Sequence, residues 1–74
     1  MKVSEFDRAV VEVFGEAYGR ILVRETVLPE LGNRTARDAL AAGVPTRDVW
    51  LALCRSEEVP RSRWHGAGLP EPRA

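Results

Sequence analysis

TARDALAAGVPTRDVWLALC, residues Thr35 to Cys54, is the stretch whose reading decides the fold. It reads as two short helices joined by a tight turn. The Thr35 hydroxyl can cap a helix N-terminus, while Asp38, three residues on, complements the helix dipole and can reach back to the cap amide. That starts one helix at about Ala36. Gly43 stops it, because a residue without a β-carbon can adopt the left-handed conformation in which helices commonly end. After Val44 and Pro45, Thr46 offers a second cap with Asp48 in the first turn. In the helix that follows, Val49, Trp50, Ala52, Leu53 and Cys54 span a wide apolar arc at 100° per residue, leaving Arg47, Asp48, Leu51 and Arg55 outward. The second helix is therefore expected to be largely buried.

Upstream, Ser4 is a candidate cap with Asp7 three residues later. Phe6, Ala9, Val10, Val13 and Phe14 recur at helical spacing, so an amphipathic helix is expected whose Phe6 and Phe14 meet Trp50 and Leu53 in the core. Gly15 should end or bend it. Residues 16–28 are expected to be helical too, because a lone strand would have nothing to pair with. On that helix Val23 and Val27 face away from Ala17, Ile21 and Leu28, either buried on a second side or offered to a partner. Pro29 breaks the pattern and Gly32-Asn33 suits a turn. Arg34 at the corner is expected to be a solvated charge or to bond local helix-end carbonyls, in preference to gripping a carboxylate or phosphate. Downstream, Pro60 can open a short turn, RSRWH, that folds Trp64 back onto the helices. The reading is thus an all-α, compact bundle of three or four short helices. It has a helix-turn-helix-like hairpin at about 35–56, a single small domain over 1–65, and a flexible Gly/Pro-rich tail at 66–74.

Size and charge narrow the function. A chain of 74 residues buries only about 60% of its unfolded surface, which leaves little room for a deep substrate cleft. With 11 basic and 11 acidic side chains the net charge is zero, so no long-range field steers the chain to nucleic acid or an anionic membrane. One cysteine makes no internal disulfide, no signal peptide is recognisable, and no apolar run approaches the roughly 20 residues of a membrane span. A cytoplasmic protein without a membrane segment is expected.

Chemical candidates are few. Cys54 follows Trp50 by one helical turn and reads as a small core thiol. His65 is a lone imidazole with no second ligand at metal-site spacing. Glu57 and Glu58 are adjacent and diverge on any helix, so they form no catalytic pair. No phosphate loop or other catalytic motif occurs. No enzyme, no cofactor and no metal are expected.

Two functional readings follow. In the first, a small helical protein-interaction or regulatory module binds a protein partner through Leu51, Val23, Val27 or Trp64, since aromatic and aliphatic anchors carry most interface energy. In the second, Ala39, Gly43 and Val49 stand at intervals seen in helix-turn-helix units, and the helix from Arg47 enters the major groove with Arg47 and Arg55 on phosphates or guanine edges and Arg34 and Arg37 on the backbone. Zero net charge and the acidic neighbours Asp38 and Asp48 weigh against it. The outward side of the hairpin, Arg34, Arg47, Leu51 and Arg55, is the candidate interaction surface in both. Neither the partner's identity nor the oligomeric state is written in a readable motif.

The blocks MKVSEF, FGEAYG, VLPELGNRT, DALAAGV, VWLALC and VP, in this order and spacing, resemble the actinobacterial domain-of-unknown-function family 3046. The resemblance runs from Met1 to about Arg61 and departs at Asp7, where an aromatic is expected after Phe6. It implies a small all-α cytoplasmic protein with no established activity and no catalytic residues to transfer. Members often lie near DNA-recombination genes, which implies a link to DNA repair or recombination. The family's motif residues mostly have the structural explanations already given, and Arg34 is the exception worth testing.

Overall fold

A computed structural model describes residues 1–64. The order of elements is α1 (Val3–Phe14), α2 (Glu16–Glu25), β1 (Val27–Leu28), a 3₁₀ turn (Pro29–Leu31), β2 (Arg34–Thr35), α3 (Ala36–Ala41), α4 (Thr46–Ser56) and a second 3₁₀ turn (Arg61–Arg63). The all-α bundle expected from the sequence is what forms. His65 and the tail at 66–74 lie outside the described residues.

α1 begins before Ser4, not after it. Lys2 holds the cap position in extended backbone, and its amide donates to Glu5 Oε1 at 2.6 Å. The earlier start gains the bond from Phe6 N–H to the Lys2 carbonyl, 3.0 Å, so Ser4 lies inside the first turn and caps nothing. Gly15 then separates α1 from α2 by a single residue. Its φ of 86° and ψ of 161° fall in a region open in practice only to glycine. Its amide closes α1 on Val11 O while its carbonyl opens α2 by accepting from Gly19 N–H, both at 2.9 Å.

α2 packs back along α1 at Gly19. A β-carbon there would sit 2.6 Å from Val10 Cγ1 and 3.3 Å from Val10 O. Leu22 and Gly19 are the buried residues of α2, while Ala17, Tyr18 and Ile21 are exposed, so the inward face is not the Ala17–Ile21–Leu28 side expected.

The helix expected over residues 16–28 stops at Glu25. Val27 and Leu28 are extended and pair antiparallel with Thr35 and Arg34. Two causes act together. Pro29 disfavours the helical conformation for the residue before it. The intervening corner also reverses the chain through Gly32 (φ 73°) and Asn33 (φ 60°), with Asn33 N–H donating to Leu28 O at 3.1 Å. The strand finds its partner only a few residues on, in a chain where none was expected.

Thr35 caps α3 as expected, accepting from Asp38 N–H at 3.1 Å. At the other end Gly43 (φ 89°) stands in a Schellman turn: Val44 N–H donates to Ala39 O (3.0 Å) and Gly43 N–H to Leu40 O (3.1 Å). Thr46 does not cap α4. Pro45 takes the cap position in extended backbone and Thr46 is the first helical residue. Proline suits this end because the amide it lacks would have no intrahelical partner.

α4 is the centre of the molecule. Val49, Trp50, Ala52, Leu53 and Cys54 are all buried. The Trp50 ring meets Phe6 edge-on at 6.1 Å and Phe14 at 6.2 Å, and such pairs add about 0.5–1.5 kcal/mol each beyond burial. The helix ends in a second Schellman turn, with Val59 N–H on Cys54 O (3.0 Å) and Glu58 left-handed at φ 54°. The chain then returns as expected. Trp50 Nε1 donates to the Trp64 carbonyl at 2.8 Å and Trp64 Nε1 to the Val59 carbonyl at 2.7 Å. The guanidinium of Arg61 covers the Trp64 ring at 5.5 Å.

Candidate interaction surface

Arg47, Leu51 and Arg55 follow one another at four-residue spacing along α4, a single stripe on a helix, but the structure uses them differently. Arg47 is exposed in the first turn and makes no hydrogen bond or ion pair among the described residues. Leu51 is half-buried and packs against the core, so it is not the free outward residue expected: its Cβ direction carries it partly over the neighbouring turn. Arg55 is engaged. Its Nε donates to Glu30 Oε1 and Oε2 at 2.9 and 3.1 Å, and its Nη2 also donates to that carboxylate. These bonds hold the Glu30 carboxyl below its ordinary range and push Arg55 up.

Arg34, in β2, donates from Nη1 to Leu31 O at 3.3 Å. It closes the corner that precedes it, the local bond to a helix-end carbonyl expected of it. The Glu30–Arg55 pair ties that same corner to α4. Arg34 and Arg55 therefore share a neighbourhood, while Arg47 stands at the opposite end of the helix. At the Glu30–Arg55 pair a recess of about 280 Å³ is floored by Leu28 and Ala52.

The other sequence candidates divide in the same way. Trp64 and Val23 are half-buried against the core, and Val27 stays 53% exposed. Val3, Val11, Tyr18 and Ile21 are also about half exposed, at 48–53%, and the sequence reading did not select them. Val11 was legible, because it falls off the Phe6–Val10–Val13 stripe of α1. Tyr18 was not, because it reads as core until the ring is seen leaning on Phe14 at 6.4 Å with its hydroxyl donating to Glu57 Oε1 at 2.9 Å. That bond to a carboxylate raises the tyrosine's pKa.

Cys54 is buried and unpaired, and burial pushes its thiol up to about 12, which removes the thiolate that nucleophilic or metal-binding chemistry requires. Among the described residues no group of three or more His, Cys, Asp or Glu side chains could hold a metal ion, and no helix is long and apolar enough to cross a membrane.

A family model described as Protein of unknown function (DUF3046) matches residues 1–62. The chain belongs to that family. No curated protein and no solved structure matches it.

Proposed function

We propose that this member of the DUF3046 family is a non-catalytic helical module that binds a protein partner. The observation that carries this reading is the half exposure of Val3, Val11, Tyr18, Ile21 and Val27 on α1, α2 and β1, in a domain whose predicted charged site residues are partly engaged within the chain. Aliphatic and aromatic side chains of this kind supply interface anchors. The interface then lies on the α1–α2 side more than on the α4 stripe. The resemblance set out above directs the search for the partner towards DNA repair or recombination proteins, in the cytoplasm.

The test is affinity capture with the full chain from the source cell's extract, in parallel with single Asp substitutions at Val3, Val11, Ile21 and Val27. A stoichiometric protein is expected that at least one substitution releases while the helical circular dichroism stays unchanged. If the wild type retains nothing, or every substitution is neutral, the reading fails.

A second reading, helix-turn-helix-like DNA binding through the helix from Arg47, draws on one observation: Ala39, Gly43 and Val49 occupy the turn and the buried face between α3 and α4. Against it, Trp50 and Cys54 point into the core, and Arg55 is held by Glu30. Labelled duplex titrated at low salt decides: a steep salt dependence that Arg47→Ala weakens supports this reading, and absence of binding removes it.

A further inference from the structure

α1, α2 and α3 enclose a groove of about 530 Å³ to which, of the residues expected from the sequence to make contacts, only Val23 and Arg37 belong. Its floor is apolar: Val10, Gly19, half-buried Val23 and half-exposed Val11. The side chain missing at Gly19 lets α2 lie close on α1 there. α2 and α3 supply three guanidinium groups, Arg20 and Arg24 one turn apart on α2 and Arg37 on α3; Glu16 also lies on α2, beside Arg20, and Asp7 lies on α1.

These arginines are available to a partner. Arg20 reaches Glu16 at 3.5 Å and Arg24 reaches Glu25 at 3.3 Å, but all four side chains are more than half exposed, and ion pairs in that setting exchange at little cost. Arg37 makes no ion pair or hydrogen bond among the described residues. In a chain of zero net charge, three arginines against the one lining carboxylate of Glu16 on α2 and α3 are a local asymmetry that the global count hides.

We infer that this groove docks an acidic amphipathic segment of a partner protein, with aliphatic side chains on Val10, Val11 and Val23 and carboxylates on Arg37, Arg24 and Arg20. The inference rests on the interaction-module reading and gives it a site and a partner chemistry. Charge complementarity selects this occupant. A phosphate backbone filling the groove would also meet Asp7 on α1, whereas a helix bearing acid on one flank only sets it against the arginines of α2 and α3 and leaves the Asp7 side to solvent or to a basic residue of its own. The floor offers no convergent hydrogen-bond donors of the kind that orient small ligands. Arginine also suits the role, because its planar fork takes a carboxylate through two bonds.

The experiment is selection of a random-peptide display library on the full chain, followed by amide chemical-shift mapping with the selected peptides. Peptides carrying aliphatic residues at helical spacing and flanking Asp or Glu are expected, shifting the amides of Val10, Val11, Gly19, Val23 and Arg37. Arg37→Glu and Val11→Asp should each weaken binding about tenfold or more, and a peptide with Lys in place of its Glu should recover binding to Arg37→Glu. Arg63→Glu, a charge reversal outside the groove, should bind as wild type.

Selected peptides without acidic residues, or equal binding by Arg37→Glu, would overturn the inference. So would shifts of the same amides with protein concentration alone, which would assign the groove to a second copy of the chain. Peptides mapping to Ile21 or to Leu51 would remove the groove but keep the interaction module. No selected peptide, together with no protein captured from extract, would remove both.

Discussion

Gly19 and Cys54 show how far single residues are constrained by what surrounds them. At Gly19 the obstacle to a side chain is the body of Val10, so Gly19→Ala should push α1 from α2 and lower unfolding free energy by about 1–3 kcal/mol in denaturant titration, despite alanine's better helix propensity. At Cys54 the constraint is solvation. Its thiol is held protonated up to about pH 12 in the fold, above its value in the unfolded chain. The stabilisation is therefore complete below the unfolded thiol's pKa near 9 and is lost as pH rises from there towards 12. Stability should fall over that window by up to about 1.4 kcal/mol per pH unit from this group, and Cys54→Ala should flatten that part of the curve. A thiol reagent at pH 8 should modify Cys54 only on the timescale of unfolding. The core role of Cys54 could be read from its spacing behind Trp50, but that of Gly19 could not, because a glycine inside a helical pattern gives no sign of what lies across from it.

Two threonines illustrate the next scale, where elements begin and end. Both precede acidic residues and looked alike as caps, yet only the Thr35 hydroxyl takes an amide; at α4 the cap position belongs to Pro45. Thr35→Ala should cost about 1 kcal/mol, and Thr46→Ala should change thermal or denaturant stability by only a few tenths. Equal losses would contradict the assignment. The helices and the Gly43 turn were legible because period and punctuation agreed there. The β1–β2 ladder was hidden because two residues carry no alternation pattern, and its cause, Pro29 acting on Leu28 together with two left-handed residues, lies in the corner and not in the strand. The candidate surface was legible only in part for a related reason: the wheel places Arg55 outward, which it is, but says nothing of Glu30, brought to it by that same corner.

Across the whole molecule, stability depends on the return of the chain after α4. A domain this small sits close to its stability limit, and Trp64 contributes both ring contact and the carbonyl that satisfies the buried Trp50 indole. A chain ending at Pro60 should lose roughly 2–4 kcal/mol, seen as a lower midpoint in urea. The family match ends at residue 62, yet the core reaches Trp64. The all-α class and the aromatic centre were readable from composition and period. The groove was not, because its banks come from three helices and its charge pattern cancels in any count along the chain.

The meeting of Phe6 and Phe14 with Trp50 also carries a kinetic meaning. α1 with α2, and α3 with α4, can each form by short-range search, whereas the aromatic cluster requires the first helix to find the fourth across the intervening chain, a loop closure whose entropy must be met before the contact returns any energy. Docking of these two hairpins is then expected to be the late event of folding. The Trp50 indole, dark to solvent only once both phenylalanines and the Trp64 carbonyl are in place, would report its rate.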